Sequence, residues 1–373
     1  MQNIAITAGL RTPITGRSRA LANYGVEELA AMVMAELETT TGQRPVGVVL
    51  GNCTGPGGNL GRNTALAAGF GAECIGWGID AQCGSGLVAV QQAMHHVAAT
   101  GATMFAGGAE SASTAPTRSH HGVPFARARF APQGFPDPDM IEAADELARL
   151  KGISRESQES FAERSHELSL GAKSFLRAET VSVARGPART TIIDDGPRRL
   201  GNNALRRFSP VCDKPGATVT PGTTARISDG AAGVVVTTLG RVTGPHWKIL
   251  ASTTTGGDPA LPGIVPVAST RQALNRAGLR IDDLQAIEVV EAFAAQSLAV
   301  LDGLGIAHHG EIDPRVNTWG GALALGHPWG ASGAVGLVRL LHRLRHEGPG
   351  SRGLTTCAIG GGMGATMILE YVE

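Results

Sequence analysis

Asn317-Thr-Trp-Gly-Gly-Ala-Leu-Ala-Leu-Gly-His327-Pro-Trp-Gly-Ala-Ser-Gly333 holds one histidine in a glycine-and-proline turn, between an apolar run and a small-residue segment that opens a helix. Glycine there removes side-chain bulk and tolerates turns that other residues resist, so a ligand can approach such backbone closely. Far upstream, Ile79-Asp-Ala-Gln-Cys83-Gly-Ser-Gly-Leu-Val-Ala-Val90 has a similar build around a cysteine. The two stretches also continue alike. Cys83-Gly-Ser-Gly86 leads into a helix, a strand and Gly107-Gly108, while Gly330-Ala-Ser-Gly333 leads into a helix, a strand and Gly360-Gly-Gly362. The parallel implies duplication of one sheet-containing unit.

Working outward, short apolar runs at Ile4–Ala8, Val46–Leu50 and Thr103–Ala106 read as strands, and Val26–Leu37 and Leu87–Ala99 carry helical periodicity. The last third repeats the alternation. Lys248–Thr253, Ile287–Val290 and Gly353–Ile359 read as strands, with Val267–Ala277 and Gly333–His346 as helices. Such alternation predicts an α/β layered sheet. The middle of the chain, from about Ser113 to Arg226, differs. It holds the basic pairs Arg127/Arg129, Arg198/Arg199 and Arg206/Arg207, a proline-rich stretch at Ala131–Pro138, and one helix over Ser154–Leu176. It reads as an inserted cap.

Lys+Arg and Asp+Glu both number 32, so no net field attracts nucleic acid or an anionic membrane. Fifty-two glycines among 373 residues are about twice the ~7% of an average protein, and they follow no Gly-X-Y period. Five cysteines (Cys53, Cys74, Cys83, Cys212, Cys357) form an odd set without a CxxC pair, which points to a reducing cytoplasm rather than a disulfide framework. The paired histidines His95/His96, His120/His121 and His308/His309 lack metal-site spacing, so no metal is expected. No apolar stretch approaches the roughly 20 residues of a membrane span. There is no complete dinucleotide fingerprint, Walker A sequence or Gly-x-Ser-x-Gly elbow.

A cysteine at a helix entrance meets the positive end of the helix dipole and free backbone N–H groups, both of which favour thiolate. A buried, inert cysteine is the other reading. His327 is more telling, because packing alone does not call for imidazole in a turn flanked by Gly326 and Pro328. Cysteine and histidine held this way point to thiol-based acyl transfer.

Together these segments resemble the thiolase family over essentially the whole chain. The resemblance includes Gly107-Gly-Ala-Glu-Ser-Ala-Ser-Thr-Ala-Pro116, Ile153–Ser165, Ser228-Asp-Gly-Ala-Ala232, Val290-Glu-Ala-Phe-Ala294, Asn317–Gly333 and Gly360-Gly-Gly-Met-Gly364. It implies two duplicated βαβαβαββ halves in a layered α/β/α/β/α core, with a loop domain inserted in the first half. The corresponding bounds are 1–113 with 227–244, an insert at 114–226, and 245–373. It implies Cys83 as nucleophile, His327 as its activator, and an oxyanion hole from the N–H groups of Cys83 and Gly360. No tightly bound cofactor is expected. The substrate would be a thioester of CoA or phosphopantetheine, with an acyl carrier protein as one source, and the assembly a homodimer or homotetramer.

Three positions depart from the family pattern. Val290 stands where the family has the Asn that fixes a water at a second oxyanion site. Ala358 stands where the family has a proton-shuttling cysteine; Cys357 lies one residue earlier and would face the wrong side unless the strand bulges. Ala225 and Arg226 replace the serine that contacts pantetheine and its neighbouring glycine, so Arg226 would obstruct CoA or pair with an acid-bearing substrate. The expectation is an acyltransferase that loads Cys83 but performs conventional thiolysis poorly. The alternatives are an ordinary thiolase using Cys357 as base and a non-catalytic partner of a thiolase-like subunit.

Overall fold

In the computed structural model, residues 3–125, 127–185, 190–200, 204–308 and 311–373 are described; His309 lies outside them. Nine strands form one continuous sheet path. They are β1 (Ile4–Arg11), β2 (Gly47–Gly51), β3 (Ile75–Ile79), β4 (Met104–Glu110), β5 (Ser228–Thr238), β6 (His246–Gly256), β7 (Ala286–Val289), β8 (Arg352–Ile359) and β9 (Met363–Val372). Their order is β7-β8-β9-β6-β1-β5-β4-β2-β3, and the two-residue strand Thr15–Gly16 pairs beside β5.

The order displays the duplication. The first half runs β1-β5-β4-β2-β3 and the second β6-β9-β8-β7, so first, last and intermediate strands take equivalent places. The halves meet where Ala5 and Ile6 of β1 pair antiparallel with Lys248 and Trp247 of β6. A parallel bridge between Ile287 and Val316 supplies, in the second half, what β3 supplies in the first.

Helices complete the layers. α1 (Val26–Thr41) and α2 (Leu60–Ala67) pack outside the first half, around Val33, Leu37, Leu50 and Val235. The helices here called α6 (Pro266–Ala277) and α7 (Ala294–Leu304) pack outside the second, around Leu274, Val300 and Ile368. The paired helices α3 (Ser85–Thr100) and α8 (Trp329–Glu347) contribute Leu87, Val90, Leu337 and Leu341 to one core shared with residues of both halves. Burying both faces of a sheet calls for near-continuous apolar runs, and Gly47–Gly51 and Met104–Glu110 are buried at every residue.

The insert carries α4 (Met140–Lys151) and α5 (Arg155–Gly171). The expected single helix over Ser154–Leu176 breaks at Ala172, where φ −96° and ψ 16° leave the helical well, and a short helix resumes at Lys173. A buried ion network pins the insert to the core. Glu179 is fully buried between Arg11 (Nε–Oε1 2.6 Å) and Arg339 (Nη2–Oε1 2.7 Å), and Arg11 also reaches Asp194 at 2.8 Å. Burial opposes the Glu179 charge, but the two guanidiniums prevail and hold its carboxyl near about 2. Among the described residues no helix is long and apolar enough to cross a membrane.

Candidate active site

Cys83 lies in a tight turn, Gln82–Gly84, that runs directly into α3. Gln82 adopts φ 48°, an uncommon value for a side-chain-bearing residue. The turn is locked locally: Ser85 Oγ accepts from Ala81 N (2.9 Å) and donates to Gln82 O (2.6 Å). A Cβ added at Gly86 would lie 2.8 Å from Gly330 O, so the entrances of α3 and α8 touch through glycines. The helix entrances that follow the cysteine and histidine motifs therefore lie against each other.

His327 is held from both sides. Its backbone N donates to Arg226 O at 2.8 Å, and Nδ1 lies 2.6 Å from Ser332 Oγ. Ser332 Oγ donates in turn to Pro328 O at 3.1 Å. A hydroxyl has one proton, so with that proton on Pro328 O it accepts from Nδ1–H and leaves the lone pair on Nε2. Nε2 is buried and has no hydrogen-bond partner among the described residues. Burial lowers the His327 pKa to about 4, so the ring is neutral near pH 7.

The helix entrance does not make Cys83 a resting thiolate. Burial and then the carboxylate of Glu110 push the thiol up to about 12, against an opposing contribution from its own backbone N–H. Desolvation outweighs the helix end here. Glu110, within the Gly107–Pro116 motif, organises the neighbourhood. Fully buried, it accepts from Asn52 Nδ2 (2.9 Å), Cys53 Sγ (2.9 Å) and Gly330 N (2.9 Å), and also from Thr54 Oγ1. The carboxylate thus ties the loop after β2 to the first turn of α8.

β8 and β9 pair in unbroken register from Arg352–Glu370 to Ile359–Met363, so there is no bulge at Cys357. Cys357 is fully buried, and its Sγ would lie 3.7 Å from a Cβ on Gly84; Ala358, on the opposite face, retains some exposure. Burial drives the Cys357 thiol up to about 12. Val290, 7% exposed, lines a cavity of about 30 Å³ shared with Pro328, Ser332 and Gly336. That volume accommodates about two waters.

Ala225 is buried and its N donates to Ala292 O at 3.0 Å, so the Thr224–Ile227 segment straps the Val290–Phe293 turn to His327. Arg226 turns its guanidinium to Asp195 (2.8 Å) and Leu325 O (3.3 Å). Its charge is matched within the chain. Asn317, at φ 45°, accepts from Val289 N (2.8 Å) and donates to Val289 O (2.9 Å) and Glu291 Oε1 (2.6 Å), while Glu291 accepts from Ser165 Oγ at 2.7 Å. Among the described residues no group of three or more His, Cys, Asp or Glu could hold a metal ion.

Comparison with known proteins supplies the family. Residues 4–239 match the thiolase N-terminal domain and residues 244–371 the thiolase C-terminal domain. The chain is 33% identical to the acetyl-CoA acetyltransferase of Syntrophomonas wolfei, covering 99% of each. It is 36% identical to the 3-oxoadipyl-CoA/3-oxo-5,6-dehydrosuberyl-CoA thiolase of Escherichia coli, covering 100% of each. The crystal structure of the Bacillus anthracis acetyl-CoA acetyltransferase superposes with a TM-score of 0.88 at 29% identity, covering 100% of this chain and 99% of that one. The chain therefore belongs to the thiolase family and is an acyltransferase.

Proposed function

We propose that the protein loads an acyl group from a CoA or phosphopantetheine thioester onto Cys83 and passes it to an acceptor that is already nucleophilic. An amine, a β-keto acid or an activated carbon would serve. The observation that carries this reading is selective. Cys83 and His327 occupy the family's positions for nucleophile and activator, whereas Val290 and Ala358 stand where enolate chemistry needs polar or ionisable groups.

With the resting thiol near 12 and the imidazole near 4, Cys83 and His327 are both neutral near pH 7. Proton transfer then accompanies attack. The Sγ–acyl bond forms, the proton passes from Sγ to His327 Nε2, the donor C–S bond breaks, and the same proton goes to the departing thiolate. Backbone N–H groups of Cys83 and Gly360 would hold the carbonyl oxygen. In the second half the acceptor attacks the acyl-enzyme, its proton returning to Sγ through His327.

Forming an enolate from an acetyl thioester needs a base. The family position for that base is Ala358, and the unbroken register does not shift Cys357 into it. Residues 114–226 serve as the substrate cover, and the chain would assemble as a homodimer or homotetramer, consistent with Ile75 being 44% exposed on the edge strand β3. The test is acetoacetyl-CoA thiolysis beside single-turnover acylation of Cys83. Fast acylation with slow thiolysis supports the reading; thiolysis as fast as acylation refutes it.

A further inference from the structure

The turn Gly360–Gly362 between β8 and β9, with φ 87° and 85° at Gly361 and Gly362, does not stand open. The Phe130 ring covers it. A Cβ added to Gly360 would lie 2.7 Å from both Cδ2 and Cε2 of Phe130, and one on Gly361 would lie 2.8 Å from Phe130 O. The aromatic ring is therefore flush against the very residue assigned to the oxyanion hole.

Its position is clamped by its own loop. Phe130 N donates to Asp137 Oδ1 at 3.1 Å. Arg127 donates to the same oxygen at 2.8 Å and to Asp137 O at 3.1 Å, and its Cζ stands 4.6 Å from the Phe130 centroid. The Arg127 guanidinium holds the Asp137 carboxyl below its ordinary range, so the clamp is charged at neutral pH. A cation over the ring face and a hydrogen bond at the ring's own backbone leave Phe130 little freedom to swing aside.

From this juxtaposition we infer that Phe130 is the residue that limits acyl size, restricting Cys83 loading to short, unbranched acyl thioesters. The inference rests on the reading that Gly360 N–H holds the thioester oxygen. A carbonyl there places its acyl carbons within a few ångströms of the ring. Each added methylene must then displace an aromatic wall that is braced from behind. Removing the ring opens the space on that side alone.

The test is acylation of the wild type and of Phe130→Ala with acetyl-CoA and hexanoyl-CoA, read as the ratio of their kcat/KM values. We expect the hexanoyl-to-acetyl ratio to rise by at least about 10-fold in Phe130→Ala. Asp137→Asn, which loosens the clamp and keeps the ring, should shift the ratio the same way by less, and it serves with Phe130→Leu should the alanine variant fold poorly. An unchanged ratio, or equal loss for both donors, overturns the inference while leaving Cys83 loading intact. Absence of a Cys83 adduct from any donor in the wild type overturns the underlying reading and the inference with it.

Discussion

Ser332→Ala should slow acylation without altering where the donor binds. The hydroxyl sits 2.6 Å from His327 Nδ1 and donates to Pro328 O, and Ser332 is 4% exposed. A hydrogen bond of this kind contributes about 1 kcal/mol net, and leaving a buried N–H without a partner costs about 1–3 kcal/mol. That penalty falls on the tautomer with its lone pair on Nε2, the form that accepts the Cys83 proton. The saturating acylation rate should fall about 5- to 150-fold, since ~1.4 kcal/mol is a factor of ten. The half-saturating donor concentration should stay put. Rapid-quench intact-protein mass spectrometry resolves the two, and Ser332→Thr, which keeps the hydroxyl, should recover part of the rate. An unchanged acylation rate in a folded Ser332→Ala protein would refute the tautomer argument.

Burial disfavours the His327 imidazolium, so the neutral base persists as pH falls until about 4; acylation in short pulses should hold its rate below pH 6.5, and an acid limb at 6.5 would contradict this. Asn at position 290 together with Cys at position 358 (Val290→Asn, Ala358→Cys) should raise acetoacetyl-CoA thiolysis by on the order of 100-fold, the usual contribution of a general base or an oxyanion donor. No gain would show that these positions are not what limits enolate chemistry. Arg339→Ala should cost about 3–5 kcal/mol in denaturant unfolding by leaving Glu179 under-compensated. Because the Glu179 pKa is depressed, the wild-type stabilisation is full above about 4.5 and disappears as pH falls through about 2.

The glycine-rich entrances at Cys83 and His327 were legible because they are local: small residues beside a nucleophile and a base leave a pattern within a dozen positions. Helix α4 was equally local yet overlooked, although Asp139 caps Ile141 N and Gly152 closes it at φ 63°. Edge strand β3, Ile-Gly-Trp-Gly-Ile, escaped notice because glycines break its apolar run. Other features depend on distance in space. Phe130 meets Gly360 across 230 positions of chain, and no periodicity encodes that. Ser332 lay inside the quoted motif, but its part emerged only from the shared proton with Pro328. The charge state of Cys83 depends on distance in the same way. Sequence shows the helix end that favours thiolate, whereas the burial and the Glu110 carboxylate that outweigh it are tertiary.

The most direct test incubates the protein with acetyl-CoA in deuterated water and follows two signals together, the acetyl adduct on the intact protein and deuterium uptake at the acetyl α-carbon. The account predicts an adduct that disappears in Cys83→Ala, with α-deuteration at the rate of the uncatalysed control. Rapid α-deuteration by the wild type would show that enolate chemistry survives without a polar group at position 290 or a base at 358, and would contradict the account at its centre.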